Sequence, residues 1–364
     1  MKSIVLHLKK LDWVLIVSTF LLVGFGLLSI YSSSLGKGDF LNFKKQIIFF
    51  GIGIILMILI SFFDWRTLRE DPRLILILYF LCLVLLVGLF FFAPEIRGTK
   101  SWYKLGQVSI DPTEFTKIVL IILLAKYFST RHIELYRIIH ILISGLYVFI
   151  PSLLVFLQPD LGSVLILLSL WVGILIVSGI KLRHFLILVL CFLLISIFSW
   201  STILKDYQKE RILSFIWPQI SDPLKIGWSQ RQAKIAIGSG GIFGQGLFKG
   251  SQTQYGFLPE PQTDFIFSAI AEETGLIGVS FLLFLFSILI WRIFKIAISS
   301  QSNFAYLFAS GLSLLFITQI FIHIGMNIGF LPIIGIPLPL ISYGGSSLIA
   351  TFTALGILQS IKTH

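Results

Sequence analysis

Ten runs of apolar residues, each close to the length that crosses a bilayer, leave this chain little choice of fold. A helix needs about 20 consecutive apolar residues to span the hydrocarbon core. Such runs fall near residues 13–34, 46–63, 74–93, 113–129, 138–157, 161–180, 184–204, 264–291, 304–326 and 340–361. No water reaches that depth, so each crossing must satisfy its own backbone groups and is expected to be helical. The expected fold is an all-α polytopic membrane protein: ten transmembrane helices in a single integral membrane domain over 1–364, with a large extracytoplasmic loop, 205–263, between helices 7 and 8. Hydrophobic residues make up 56% of the chain and charged residues 12%, against the roughly 45–50% apolar share of soluble domains.

Lys2, Lys9 and Lys10 precede the first run as they would in a signal peptide. The stretch from Trp13 to Tyr31 is too long for a signal core, lacks a small-x-small cleavage site and is bracketed by interfacial aromatics, so it reads as the first span. An even number of crossings puts both termini on one side. Cytoplasmic termini assign Arg66, Arg69, Arg73, Arg131, Arg137, Lys181, Arg183, Arg292, Lys295 and Lys362 to the inside and leave only Lys37, Lys44, Lys45, Arg97, Lys100 and Lys104 in the short outer loops. This is the distribution the positive-inside rule requires. The net charge of +11 is scattered between spans, which argues for topology and against nucleic-acid binding. Cys82 and Cys191 sit within apolar runs and indicate neither a disulfide framework nor a zinc site.

Ionisable residues at membrane depth are functional candidates by default. Asp264 opens the eighth run after Pro259-Glu260-Pro261, where it serves either as a helix cap or as a base at the outer membrane surface. Glu272 lies eight residues on, within about 80° of Asp264 at 100° per residue, while Glu273 points roughly the opposite way, so of the two only Glu272 could share a cavity wall with it. Glu114 and Lys117, three apart on one helix face, form either a mutual ion pair or a site in which Lys117 faces a bound anion. Asp160 occupies a tight turn, Gln158-Pro159-Asp160-Leu161-Gly162, where a capping role competes with a functional one.

The long loop carries Ile212, Phe215, Trp217, Trp228 and other apolar residues able to pack back on the bundle. Within it, Ala233 to Ile237 followed by GSGGIFGQG reads as a short interfacial helix ending in a flexible turn. The tenth run opens with a broken, hydroxyl-bearing entry from Pro337 through Ser342 to Ser347, tolerated at membrane depth only where it is buried in protein or lines a cavity. His323 and Asn327 are expected to be interhelical hydrogen-bond partners.

Several of these segments, in order, resemble the SEDS family of bacterial shape, division and sporulation proteins: RGTKSWYKLGQVSIDPTEFTK from Arg97, QPDLG at 158, IAIGSGG at 235, PEPQTDFIF at 259, EETGLIG at 272 and PLPLISYGGSS at 337. The resemblance covers essentially the whole chain and is nearest the family's elongation member rather than its division paralogue. It departs at Ile110-Asp111-Pro112-Thr113, where Gln-Pro-Ser is usual. The resemblance implies a peptidoglycan glycosyltransferase that polymerises lipid II at the outer face of the bacterial cytoplasmic membrane beside a class B penicillin-binding protein. It places the family's essential acid on Asp264, its membrane-embedded pair on Glu114 and Lys117, and its turn acid on Asp160.

The chemistry implied is deprotonation of an acceptor hydroxyl by Asp264 as a pyrophosphate leaves, in a single inverting displacement. Lys117 and Arg97, then Arg211 and Arg231, are the candidate cations for the pyrophosphate, with Ser342 as a further substrate contact. A divalent cation, Mg2+ or Mn2+, can share that task; no organic cofactor and no nucleic acid are expected. A flippase or transporter for the same lipid-linked precursor is the competing class, and a noncatalytic scaffold a third.

Overall fold

A computed structural model of the chain describes residues 2–95, 100–106, 108–131, 138–202, 209, 213 and 226–364. Arg97, Arg211 and the loop residues Ile212, Phe215 and Trp217 lie outside them.

The chain begins with α1 (Lys2–Lys10), α2 (Trp13–Lys37), α3 (Leu41–Phe62), a short α4 (Arg66–Glu70) and α5 (Pro72–Phe92). A hairpin of β1 (Tyr103–Leu105) and β2 (Val108–Ile110) pairs Tyr103 with Ile110 and Leu105 with Val108. Then follow α6 (Pro112–Arg131), α7 (Ile138–Leu157), α8 (Leu161–Val177) and α9 (Leu182–Thr202). Within the long 205–263 segment lie α10 (Ile226–Gly240) and α11 (Ser251–Gln254), and after it α12 (Ile266–Ser299), α13 (Asn303–Ile328) and α14 (Gly345–Thr363). Among the described residues, six helices, α2, α3, α5, α7, α12 and α13, are long and apolar enough to cross a membrane. The α8 helix is equally apolar but shorter, while α6 and α14 are of similar length and largely buried. The all-α expectation gains one correction, the two-stranded hairpin, whose strands are too short to show a period of two.

The core is apolar, but so is much of the exposed surface, and small polar side chains are buried among the helices. Helix α2 buries Ser18, Thr19, Ser29, Ser32, Ser33 and Ser34 and turns Val17, Leu21, Leu28 and Leu35 outward. Lipid solvates the outer apolar face, so helices associate through small residues and interhelical hydrogen bonds instead. Close approach follows: a Cβ on Gly356 of α14 would lie 3.0 Å from the Met57 carbonyl oxygen of α3. At one end of the bundle, Asp12 caps α2 by accepting from the Leu15 N–H and receives both an Arg292 guanidinium and, through its own N–H, the Gln359 amide oxygen. Asp12 thereby joins α12 to α2 through its carboxylate and α14 through its backbone N–H.

Helix α12 is broken at Gly275, where φ is 65°, a left-handed value that favours glycine. The break removes the bonds that the amides of Leu276 and Ile277 would make to the carbonyls of Glu272 and Glu273. The glycine-rich segment after α10 replaces all four partners: Leu276 N–H donates to Gly241 O (3.0 Å) and Ile277 N–H to Ile242 O (3.2 Å), while Gln245 and Gly246 donate to the carbonyls of Glu272 and Glu273 (2.9 and 3.1 Å). The segment expected to be a flexible turn is therefore hydrogen-bonded into α12. Backbone at this depth must find partners within the protein.

Candidate active site

A cavity of about 270 Å³ opens where four segments meet. The hairpin and the start of α6 contribute Trp102, Ser109, Asp111 and Glu114; the turn before α8 contributes Asp160; the lead-in to α12 contributes Asp264. Gly335 and the stretch from Tyr343 to Ser347 close the remaining side. Four carboxylates from segments far apart in sequence thus face one space.

Asp264 is not a helix cap. Helix α12 starts at Ile266 with Phe265 at its cap position and no side-chain bond, and the Asp264 carboxyl lines the cavity. Its backbone is held from behind. The Asn327 amide nitrogen donates to the Asp264 carbonyl (3.0 Å) and to the His323 carbonyl (2.8 Å), and the Asn327 amide oxygen receives Ser268 Oγ (2.6 Å). His323 Nδ1 lies 2.7 Å from the Ile336 carbonyl, which can only accept, so Nδ1 carries the proton and ties down the segment bearing Gly335. A Cβ on Gly335 would stand 3.8 Å from Asp264 Oδ2. Asn327→Ala leaves the Asp264 and His323 carbonyls and the Ser268 hydroxyl without their buried partner. The expected cost is about 1–3 kcal/mol, read as a lower thermal midpoint in detergent.

The expectation for Glu272 fails. Its carboxylate accepts from Gln252 N–H (2.6 Å), Thr253 N–H (3.1 Å) and Thr253 Oγ1 (2.7 Å), holding the start of α11, and it does not line the cavity. The 100° rule presumed that Asp264 lies on the helix, whereas it precedes it. Glu273 is bonded to Ser32 Oγ of α2.

Glu114 and Lys117 make the mutual ion pair, Nζ to Oε1 2.8 Å, with the lysine 1% exposed. Glu114 faces the cavity and Lys117 does not. Asp160 has both of its expected roles: it caps α8 by accepting from Ser163 N–H (3.1 Å) and lines the cavity. Ser342 is turned to the backbone, accepting from Leu338 N–H and donating to Thr263 O, while Ser346 and Ser347 line the cavity in its place. Arg231 is exposed on α10, away from the cavity. Among the described residues, no cationic side chain lines the space. Nor do the described His, Cys, Asp and Glu side chains form a group of three spaced to hold a metal ion.

The sequence reading passed over the residues that assemble the walls. Gln46 of α3, 1% exposed, donates to Ser342 O and accepts from Gly344 N–H. Gln262 accepts from Asn42 and donates to Ser34, and its carbonyl takes the Tyr343 N–H. A buried glutamine within an apolar run was the available signal, because such an amide must find partners.

An apolar groove of about 700 Å³ runs beside the cavity between α5, α6 and α14, lined by Leu78, Leu85, Phe115, Ile118 and Ile122 among others. Ile110 and Pro112 face this groove and Asp111 between them faces the cavity, so a single stretch of chain forms the wall between the two.

The chain has counterparts in sequence and fold. The chain is 41% identical over 291 residues to the peptidoglycan glycosyltransferase MrdB of Escherichia coli K12, covering 79% of this chain and 77% of that one. It superposes on a chain of a solved peptidoglycan synthase complex, described as coordinating polymerization and crosslinking, with a TM-score of 0.82, 31% identity and 97% of each chain covered. The rod shape determining protein RodA of Thermus thermophilus matches with a TM-score of 0.71 and 29% identity over 97% of this chain and 96% of that one. The sequence profile of the FtsW, RodA and SpoVE group, described as a cell cycle protein, matches residues 12–364. A multi-pass membrane protein carrying the six motifs in order and matching that profile over nearly its whole length, the chain belongs to the FtsW/RodA/SpoVE family, the SEDS proteins.

Proposed function

We propose that the chain is a peptidoglycan glycosyltransferase that polymerises lipid II into glycan strands at the outer face of the bacterial cytoplasmic membrane during elongation. In this reading it crosses the membrane ten times, keeps both termini in the cytoplasm and works beside a class B penicillin-binding protein. The observation that carries it is the pairing of a carboxylate-lined cavity, containing Asp264, with an apolar groove on the other side of one stretch of chain. A lipid-linked sugar has those two parts, a polar head and a greasy anchor. The resemblance to proteins named as peptidoglycan glycosyltransferases supports the same reading.

The chemistry follows from what the side chains can do. Ionised carboxylates only accept hydrogen bonds, and sugar hydroxyls donate them. Asp264 takes the proton from the acceptor hydroxyl as it attacks the donor's anomeric carbon and the pyrophosphate departs. One base suffices for a single inverting displacement. The scaffold of Asn327, His323 and Gly335 fixes where that base stands. A divalent cation carried in by the substrate would supply countercharge for the departing pyrophosphate, and no organic cofactor is proposed.

The deciding experiment is polymerisation of purified lipid II by the detergent-solubilised chain with its transpeptidase partner. Glycan polymer is the expected product. A translocator has nothing to report without two compartments, so absence of polymer from folded, partner-bound protein across Mg2+ and Mn2+ overturns the assignment in favour of a flippase or scaffold.

A further inference from the structure

The end of the bundle where the His7 and His364 rings meet holds a second polar cavity, of about 370 Å³. Arg69 and Glu70 of α4, Lys126 near the end of α6, and Ser302, Asn303 and Phe304 at the start of α13 line it. Lys126 stands twelve residues beyond Glu114 on one helix, about 18 Å along its axis. The space is therefore separate from the carboxylate-lined cavity. Two of its lining side chains are cations and one is an acid. Arg69 is paired with Glu70 at 2.9 Å, on the surface, where such a pair contributes little. Lys126 donates to the Arg69 carbonyl and, among the described residues, meets no carboxylate.

Donors reach this space from three elements. An ammonium has three N–H groups and a guanidinium five, more than the Arg69 carbonyl and Glu70 occupy. Ser302 holds the cap position of α13 without a side-chain cap bond, so the first turn of that helix is not closed by its own residue. Cationic forks and ammoniums are the groups that bind phosphate oxygens. The surroundings are those of a lipid headgroup. The Trp65 ring is stacked on Phe304 (5.9 Å) and lies under the Arg69 guanidinium (5.6 Å), and its buried indole N–H has no acceptor among the described residues. Arg131 lies over Tyr127 (5.6 Å) and Lys295 over Trp291 (5.5 Å) at the same end. Such aromatic and basic side chains gather at the membrane–water interface. Basic pockets between helices on the cytoplasmic side hold anionic head groups.

We propose that this cavity binds the phosphate of an anionic phospholipid of the inner leaflet, with Lys126 and Arg69 meeting its charge and the start of α13 donating to its oxygens. The site is independent of the reaction proposed above and shares with it only the cytoplasmic placement of this end. A zwitterionic lipid brings the same phosphate with no net charge to be met. Free phosphate brings the charge without acyl chains to lie along the apolar outer surface. A lipid seated here braces α6 and α13 at their ends remote from the active cavity, the two helices that carry Glu114 and Asn327 at the other.

The test titrates phosphatidylglycerol, phosphatidylcholine or inorganic phosphate into the full-length chain in detergent and follows the thermal midpoint, which a ligand of the folded state raises as it binds. Phosphatidylglycerol is expected to raise it at the lowest concentration, with the other two well behind. Lys126→Gln keeps the length of the side chain and removes its charge. It is expected to weaken the apparent affinity for phosphatidylglycerol roughly fivefold, the contribution of one basic residue near an anionic lipid surface, and Lys126→Arg to restore it. Asn303→Asp separates binding from folding. An acid in the first turn favours a helix, so the lipid-free midpoint is expected to hold or rise while the affinity for phosphatidylglycerol falls by a similar factor. An affinity unchanged in Lys126→Gln and Asn303→Asp overturns the proposal, as does phosphatidylcholine matching phosphatidylglycerol. Inorganic phosphate matching it overturns the assignment to a lipid. Should Lys126→Gln fail to fold, Asn303→Asp alone decides: an undiminished response to phosphatidylglycerol refutes the site.

Discussion

Asp264→Asn protein, folded and bound to its partner, is expected to polymerise lipid II at least about 100-fold more slowly than wild type, because a positioned general base contributes roughly 10²–10⁴ in rate. The substitution is nearly isosteric. The Asn327 bond goes to the Asp264 backbone carbonyl and is untouched by it, so the cavity wall is expected to keep its shape. A thermal midpoint close to wild type, measured beside the rate, separates loss of chemistry from loss of structure. Polymerisation at the wild-type rate would remove Asp264 from the role of base, whatever its position in the cavity.

The second large effect concerns stability. Lys117 is 1% exposed and its ammonium meets Glu114 at 2.8 Å. Breaking a buried pair by removing one partner strands the other charge, at a typical cost of 3–5 kcal/mol. Lys117→Met is therefore expected to lower the thermal midpoint sharply, and the double variant Glu114→Gln with Lys117→Met to recover most of the loss, since no charge is then left alone. The opposite order, with the single variant near wild type and the double variant worse, would show that the pair is not the stabilising unit. Glu114 also faces the cavity. Activity of the double variant then reports whether that carboxylate is needed by the substrate in addition to the lysine.

The helices were legible because a bilayer imposes both a length and an apolar composition. The run expected over 138–157 is the observed Ile138–Leu157, and the ends of α2, α5 and α13 fall within three residues of their expected places. Asp160 was legible for a related reason: a turn acid before an apolar run has a helix end to cap, and the cap here also opens on the cavity. Arguments from spacing failed where the backbone left its regular path. Asp264 lies just before α12, so the rotation that paired it with Glu272 had no helix to act along. Asp111 was read only as a variation within a motif, and its place among the residues lining the cavity shows only in the fold. Gln46 and Gln262 join segments hundreds of residues apart, which no local pattern can encode. Lys117 could have faced either way around its helix, and packing decided it.

The interruption of α12 also limits how this end of the bundle can move. Swinging the 241–246 strip away like a hinged door would strand the amides of Leu276 and Ile277 and the carbonyls of Glu272 and Glu273 at once, each a buried polar group costly to leave bare. Strip and helix stub must travel as one piece. Any push applied at those glycines reaches the stub that starts two residues after Asp264, with no slack joint in between.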